Sequence, residues 1–407
     1  MTMTTDLRRL TLVLSLALLL RAAMLVPGFG GLNDPDRYLP LARSLAYGHG
    51  FCLESGRPTA YRPPLYPIIL TPIIALFGDS LPWGIAALHL GLGLATVALT
   101  YLTARRWGLG SGRATIAACI VAFDPVALIW TRSVMTETLA AFLVAGCLAA
   151  LTLPGRAGLI VGGLVFGLTS LCRPSLLPGA ALYGAAILLI GPGDSKRRWI
   201  DLAVFSTAAI LPLIPWAARN AVRLGEPVWS TTHGGHTFAL ANNPVYYADV
   251  VDGPPGAVWT GANQAAWFVS LGKETSGMTE PRADRLMRDL GWRTVREQPR
   301  SFLRASIARL GRFWGIAPSG AVYPTWLRVA TALWTVPLWA ALAIGLCRRT
   351  TWRVPRIAAP LVIVALTAVH AVYWTDMRMR VPIIPAIGLV AAGMAIPARG
   401  RRPFTTA

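Results

Sequence analysis

Charge is what this 407-residue sequence has least of. Asp, Glu, Lys and Arg together make up 14% of it, against about 25% in an ordinary soluble domain. Lysine is almost missing: Lys196 and Lys273 are the only two, so nearly all the basic charge is arginine. Acids are scarcer than bases, 18 against 38, which leaves a net charge of +20. The five cysteines fall into no pairing or ligand spacing. Cys52 stands alone in a loop, and Cys119, Cys147, Cys172 and Cys347 lie in or beside apolar runs. A disulfide framework and a cysteine-based zinc site are thereby excluded, and the cysteines read as packing residues. No glycine-rich phosphate loop or dinucleotide fingerprint is present, so nothing supports use of a cytosolic nucleotide sugar.

What the sequence has instead is apolar length. It is 54% hydrophobic, with a mean hydropathy of +0.53. Runs near helix-spanning length recur from end to end, which predicts an all-α polytopic membrane protein. About ten spans are expected, roughly over 9–27, 81–103, 113–130, 134–153, 157–173, 176–192, 199–217, 326–347, 356–374 and 381–397. Arg8 and Arg9 precede the first run as in a signal peptide. No small-residue cleavage site follows, however, and Arg21 interrupts the stretch, so an uncleaved first span is expected. The short connections ARRWGLGSGR, PGR, SKRRW and CRRTTWRVPR and the tail ARGRR are all basic. Positive charge marks the cytoplasmic side. Both termini are therefore expected in the cytoplasm, and much of the +20 is topological rather than a nucleic-acid footprint. Three regions follow: a transmembrane core over 1–217 with a long first outer loop at 28–80, an extracytoplasmic segment over 218–325, and C-terminal spans with a basic tail over 326–407. The outer segment carries Trp229, Trp259, Trp267 and Trp292. Within it 281–313, divided at Gly291 and Pro299, reads as Arg-rich helices on the membrane surface or as a solvated helix face.

Scarce acid makes the first outer loop conspicuous, because DPDRY sets Asp34 and Asp36 right after the first span. Asp34 reads as a helix cap with Pro35 at the first helical position. A turn over 34–38 before a helix at 40–47 fits equally, since Pro40 opposes one continuous helix. Farther on, YRPPLYP holds Arg62 extended before two prolines and leads into a short apolar segment, 65–77. A cation and two carboxylates thus meet at the outer membrane surface. Arginine suits a lipid phosphate, and a proton-abstracting reaction needs a carboxylate.

In these motifs the sequence resembles the GT-C glycosyltransferases, most of all family 39, which holds protein O-mannosyltransferases and bacterial lipid A aminoarabinose transferases. DPDRY and YRPPLYP look like that family's first outer loop, and DPVALIWTRSVMTETLAAF looks like its second. LCRP, PWAARN, GGHTFALANNP and RMRVPIIP follow in family order, so the likeness runs along nearly the whole chain. It implies a GT-C fold of about ten spans with a small extracytoplasmic domain. It also implies an inverting transfer of sugar from a polyprenyl-phosphate donor to a glycan, lipid or protein acceptor at the outer face of a bacterial cytoplasmic membrane. Asp34 matches the first acid of the family's pair. Pro35 replaces the second and Asp36 follows, so either aspartate is a candidate general base. Arg62, with Tyr61 beside it, matches the residue before Pro-Pro and would clamp the donor phosphate. An interfacial arginine holding bulk lipid phosphate is its plainer reading. Glu137 would approach donor or acceptor, or would merely sit in a helix first turn. Arg378 and Arg380 would reach phosphate, and Arg21, inside a span, is a further donor-side candidate.

His233 and His236, spaced HGGH, and Asn242 and Asn243 are acceptor-side candidates, with turn formation before Pro244 an equal account of the asparagines. No carboxylate or cysteine completes a ligand set around the histidines, so no metal site is expected and no cofactor beyond the lipid-borne donor. The rival class is a transporter or flippase of lipid-linked sugar. Transporters show repeated halves with broken helices in matching places, and no internal repeat is visible here.

Overall fold

The computed structural model of the chain describes residues 2–25, 33–53, 56–253, 261–318 and 323–394. The basic tail at 398–402, Trp259 and residues 28–32 of the first outer loop lie outside the described residues. In chain order the helices are α1 (Thr2–Leu25), α2 (Tyr38–Ala46), α3 (Leu65–Phe77), α4 (Leu81–Arg106), α5 (Ser111–Phe123), α6 (Pro125–Trp130), α7 (Glu137–Ala150), α8 (Gly155–Cys172), α9 (Leu177–Ile190) and α10 (Ser195–Ile210). Then come α11 (Leu213–Leu224), α12 (Gly234–Ala241), α13 (Pro244–Tyr246), α14 (Ala262–Glu274), α15 (Glu280–Glu297), α16 (Pro299–Phe313), α17 (Thr325–Leu346), α18 (Ala358–Val372) and α19 (Ile384–Ala392). Among the described residues β structure is limited to isolated bridges such as Asn33 with Ser133.

Among the described residues three helical stretches are long and apolar enough to cross a membrane: the α3–α4 run, α8 and α17. The α10–α11 pair makes a fourth if its 47° bend lies within one span. α5, α7, α9 with the turn before it, and α18 are apolar but shorter. The count of about ten spans is thus not reached by length and composition alone, because Gly and Pro cut the runs and each broken piece falls short.

Packing explains where the glycines went. α8 lies between α7 and α10 and carries two interleaved small-residue ladders. Gly158 and Gly162 face α7, where a side chain at 158 would fall 2.7 Å from the Leu153 carbonyl oxygen. Gly163 and Gly167 face α10, where a Cβ would fall 2.6 Å from the Phe205 carbonyl oxygen or onto that of Ala209. Close backbone approach of this kind is how helices associate where lipid offers no hydrophobic driving force. Elsewhere α4 packs on α5 and α7, and α19 lies against α5 and α17.

The segment 218–325 is tied to the bundle rather than standing apart. α16 packs on α18, and the buried Arg309 donates to the carbonyls of Ala371, at 2.9 Å, and Ala241, at 2.8 Å. Pro299 starts α16 as expected, but Gly291 does not divide the helix before it: α15 runs through it. A Cβ there would strike the Phe238 ring at 2.6 Å, so this glycine serves contact between α15 and α12.

Because the α8–α10 ladder leaves no room, Gly163→Leu or Gly167→Leu is expected to cost about 1–3 kcal/mol, read as a lower thermal midpoint in detergent. Gly272→Ala, where a Cβ meets nothing within 4 Å, should leave the midpoint unchanged or slightly raised.

Candidate functional site

α7 starts, α8 ends, α9 starts and α18 ends at one end of the bundle, where the first outer loop and the segment 231–237 also converge. A cavity of about 550 Å³ opens between them. Its charged lining is Asp36, Arg62, Glu137, Arg173 and Arg378, with His233, His236 and His370.

The loop that delivers Asp36 is built by Asp34. Asp34 Oδ1 and Oδ2 accept the backbone N–H groups of Tyr38 and Leu39, both at 2.8 Å, closing the otherwise open first turn of α2. Arg37, at φ 59°, makes the left-handed turn before the helix. Pro40 falls inside the first turn of α2, where its missing N–H costs nothing. Burial pushes the Asp34 carboxyl upward, opposed by those two N–H donors. Asp36 points the other way. Its Oδ1 pairs with Arg62 at 3.1 Å, and among the described residues no hydrogen bond reaches Oδ2. The Arg62 guanidinium lies 5.3 Å from the centre of the Tyr61 ring and 5.8 Å from that of Tyr38.

Across the cavity stands Glu137, first residue of α7 and 1% exposed. Its Oε1 is 3.1 Å from Arg173 and 3.9 Å from Arg378, while Oε2 has no partner. Arg173 follows α8 directly. Arg378 sits in the 3-10 segment Met377–Ile383, capped by Asp376, whose Oδ1 accepts the Arg378 N–H at 2.9 Å. The third wall is aromatic. His233 and His236 stack at 5.1 Å, Tyr61 meets His233 edge-on at 4.3 Å, and Phe268 lies against His236 at 4.7 Å. Among the described residues no three His, Cys, Asp or Glu side chains are grouped to hold a metal ion.

Seven of the candidates named from sequence therefore meet in one cavity: Asp36, Tyr61, Arg62, Glu137, His233, His236 and Arg378. Five do not line it. Asp34 is spent on capping α2. Arg21 donates to Thr131 Oγ1 at 2.9 Å and to the Val121 carbonyl at 3.2 Å. Arg380 reaches the carbonyls of Gly315, at 2.6 Å, and Phe313 while lying over Trp339. Asn242 donates to the carbonyls of Phe238 and Val372. Asn243 donates to Ala239 and accepts from the Tyr246 N–H, the turn-forming role that a following proline suggests. Sequence reasoning passed over Arg173, Ser175 and His370. For Arg173 a signal was available, since an arginine closing an apolar run must find a partner.

No protein-family model matches the chain, and no curated protein matches it. Solved structures do. The oligosaccharyltransferase of Archaeoglobus fulgidus in its apo form matches at TM-score 0.54 and 15% identity, over 95% of this chain and 50% of that one. The same organism's AglB, in complex with an inhibitory peptide and a dolichol-phosphate, matches at 0.52 and 14%, over 95% and 50%. ArnT from Cupriavidus metallidurans bound to undecaprenyl phosphate covers 94% of this chain and 77% of its own at 15% identity. Its TM-score, 0.44, is too low to bear on the fold. The chain thus shares the fold of the oligosaccharyltransferase, the GT-C type that the resemblance implies, and spans half of that protein's length. Family 39 in particular is not singled out.

Burial beside Arg62 pushes His233 down to about 2 and lowers His236 as well. His233 stays neutral when folded, whereas unfolded it takes up a proton below about pH 6.5. Stability should be full above that pH and fall as pH drops, by roughly 1 kcal/mol per pH unit for the His233 ring, with His236 acting in the same direction. Thermal midpoints between pH 7 and 5 should decline, and His233→Gln should flatten the slope.

Proposed function

We propose that the chain is an inverting glycosyltransferase of about ten spans, with the cavity on the extracytoplasmic face of a bacterial cytoplasmic membrane. It takes a sugar from a polyprenyl-phosphate donor and gives it to a hydroxyl of an envelope glycan, lipid or protein. One observation carries the reading. A carboxylate with one uncommitted oxygen, Asp36, shares a cavity with three guanidiniums, Arg62, Arg173 and Arg378, in a fold shared with an oligosaccharyltransferase. The basic connections lie together, away from the cavity, which supports the orientation: Arg105 pairs with Asp6 at 2.9 Å, Arg156 with Asp201 at 2.9 Å, and Arg356 reaches the Trp107 carbonyl.

In this reading Asp36 is the general base, in preference to Asp34, whose two oxygens are committed to the α2 backbone. Asp36 takes the acceptor hydroxyl proton as the acceptor oxygen attacks the anomeric carbon. The bond from that carbon to the phosphate oxygen breaks with its electron pair, and polyprenyl phosphate departs. Arg62 bridges the two roles. A phosphate arriving at its guanidinium competes with Asp36 and loosens the ion pair as the donor settles. Arg173 and Arg378, held by Glu137, neutralise the charge that grows on the leaving phosphate. Tyr61, His233 and His236 form the acceptor wall, neutral and aromatic. No tightly bound cofactor is called for.

The test is transfer by purified protein in liposomes, with a panel of polyprenyl-phosphate sugars and membrane extract as acceptor. Asp36→Asn is expected to slow release of polyprenyl phosphate by about 10²–10⁴-fold, with Asp34→Asn within about tenfold of wild type. Arg62→Ala should raise the donor KM more than it lowers kcat. Loss confined to Asp34→Asn would move the base to that residue. Wild-type protein that carries intact donor across the bilayer without freeing polyprenyl phosphate would instead be a flippase.

A further inference from the structure

Among the described residues, five that line the cavity hold a buried polar atom with no hydrogen-bond partner: Glu137 Oε2, Ser175 Oγ, His233 Nδ1, His370 Nε2 and Arg378 Nε. Buried polar groups are rarely left so, and each unpaired one costs about 1–3 kcal/mol. His233 belongs to the aromatic wall and Arg378 Nε faces Asp376 at 3.2 Å, but Glu137 Oε2, Ser175 Oγ and His370 Nε2 share the side built from the start of α7, the 3-10 turn Pro174–Leu176 and the end of α18. Two come from residues to which neither the sequence nor the proposed chemistry gives a role.

Their hydrogen-bonding character is specific. His370 is 4% exposed, and its ring plane is fixed by stacking on Phe313 at 5.2 Å and 19°. Its Nδ1 lies 3.3 Å from the Trp374 carbonyl oxygen. That oxygen can only accept, so Nδ1 carries the proton and Nε2 presents a lone pair. Glu137 Oε2 is likewise an acceptor, its partner oxygen being held by Arg173. Ser175 can donate or accept. A phosphodiester has no proton to give to these acceptors, so an anion would sit at the neighbouring guanidiniums of Arg173 and Arg378, whereas the acceptors themselves suit a ligand with several O–H donors. Tyr373 and Trp374 line the cavity next to it and give apolar ring faces for sugar C–H groups.

We propose that Ser175 and His370 form a hydroxyl-reading subsite that takes the ring hydroxyls of the donor sugar, while the arginines take its phosphate. The proposal rests on the glycosyl-transfer reading above and adds to it the residues that select the sugar. Neither side chain exchanges a proton with the reacting atoms. Both are specificity-determining contacts.

Binding separates the two readings without knowledge of the acceptor. The probes are short-chain polyprenyl phosphate and the same lipid carrying mannose, glucose, N-acetylglucosamine or arabinose, titrated against full-length protein in nanodiscs. Wild-type protein should bind at least one sugar-bearing lipid more tightly than the bare lipid. Ser175→Ala and His370→Phe should each weaken that lipid about five- to tenfold, the worth of one neutral hydrogen bond, and shift the bare lipid less than twofold. His370→Gln, which restores an acceptor, should recover part of the loss. Among monodeoxy versions of the preferred donor, one should bind wild type weakly and lose nothing further in His370→Phe. Equal losses for bare and sugar-bearing lipid, or no loss in the Ser175→Ala protein, which keeps the shape of the site, would overturn the subsite. Wild type that binds bare and sugar-bearing lipids alike would overturn it too, and would leave the phosphate-binding reading standing. Failure to bind even the bare lipid would remove both.

Discussion

A single buried carboxylate organises this end of the molecule. Glu137 is 1% exposed, and a charge so deep is tolerated only if it is paired. Arg173 and Arg378 supply the pairing, and they come from chain segments more than 200 residues apart. The pair therefore stitches the end of α8 to the 3-10 segment that precedes α19. Removing one member would strand the others as uncompensated buried charge, a loss of about 3–5 kcal/mol in comparable cases. The same constraint preorganises the cavity. Two guanidiniums are held in place before any ligand arrives, so orienting them costs nothing when an anion binds.

Two more of the scarce acids are spent in the same manner, on joining segments. Glu280, at the start of α15, accepts from Thr59 Oγ1 at 2.7 Å, from the Ala60 N–H at 2.8 Å and from the Thr232 hydroxyl. Asp284, one helical turn on, accepts the Gly235 N–H at 2.6 Å. Positions four apart share a helix face. One face of α15 thereby grips both loops that form the aromatic wall, placing Tyr61 against His233 and His236. The segment 218–325 is a clamp on the cavity, which is why α16 also reaches back to α18. Asp36 differs from Glu280 and Asp284 in that its partner is a cavity arginine, Arg62 at 3.1 Å.

Much of this was legible from composition and period. The apolar runs of α4, α8, α17 and α18, the short helix over 65–77 and the start of α16 at Pro299 fall where hydropathy and proline put them. Asp34 shows the limit. Its capping role was one of two readings that the sequence supports, and only the positive φ of Arg37, which nothing in DPDRY announces, decides where the helix starts. Gly291 looked like a break because a glycine in an amphipathic helix usually weakens it. Contact with Phe238, distant in sequence, gives it another purpose. For Asn242 and Asn243 the sequence supports sugar binding and turn formation before Pro244 equally, but helix ends in a crowded bundle leave carbonyls that need donors, and the two amides supply them. Ser175 and His370 were invisible for the opposite reason. What marks them is a missing partner, and partners are a property of the packed structure alone.

The net charge of +20 can now be apportioned. In a soluble protein it would point to an anionic polymer. Here many of the arginines cluster around the basic connections at the end of the bundle away from the cavity, in pairs such as Arg105 with Asp6 and Arg156 with Asp201. Within the cavity the balance is closer. Arg62, Arg173 and Arg378 face Asp36 and Glu137, and Asp376 beside the lining pairs with Arg378 at 3.2 Å, so three guanidiniums meet three carboxylates. Each arginine reaches the cavity already paired, and an anion that enters must compete with a carboxylate for its guanidinium.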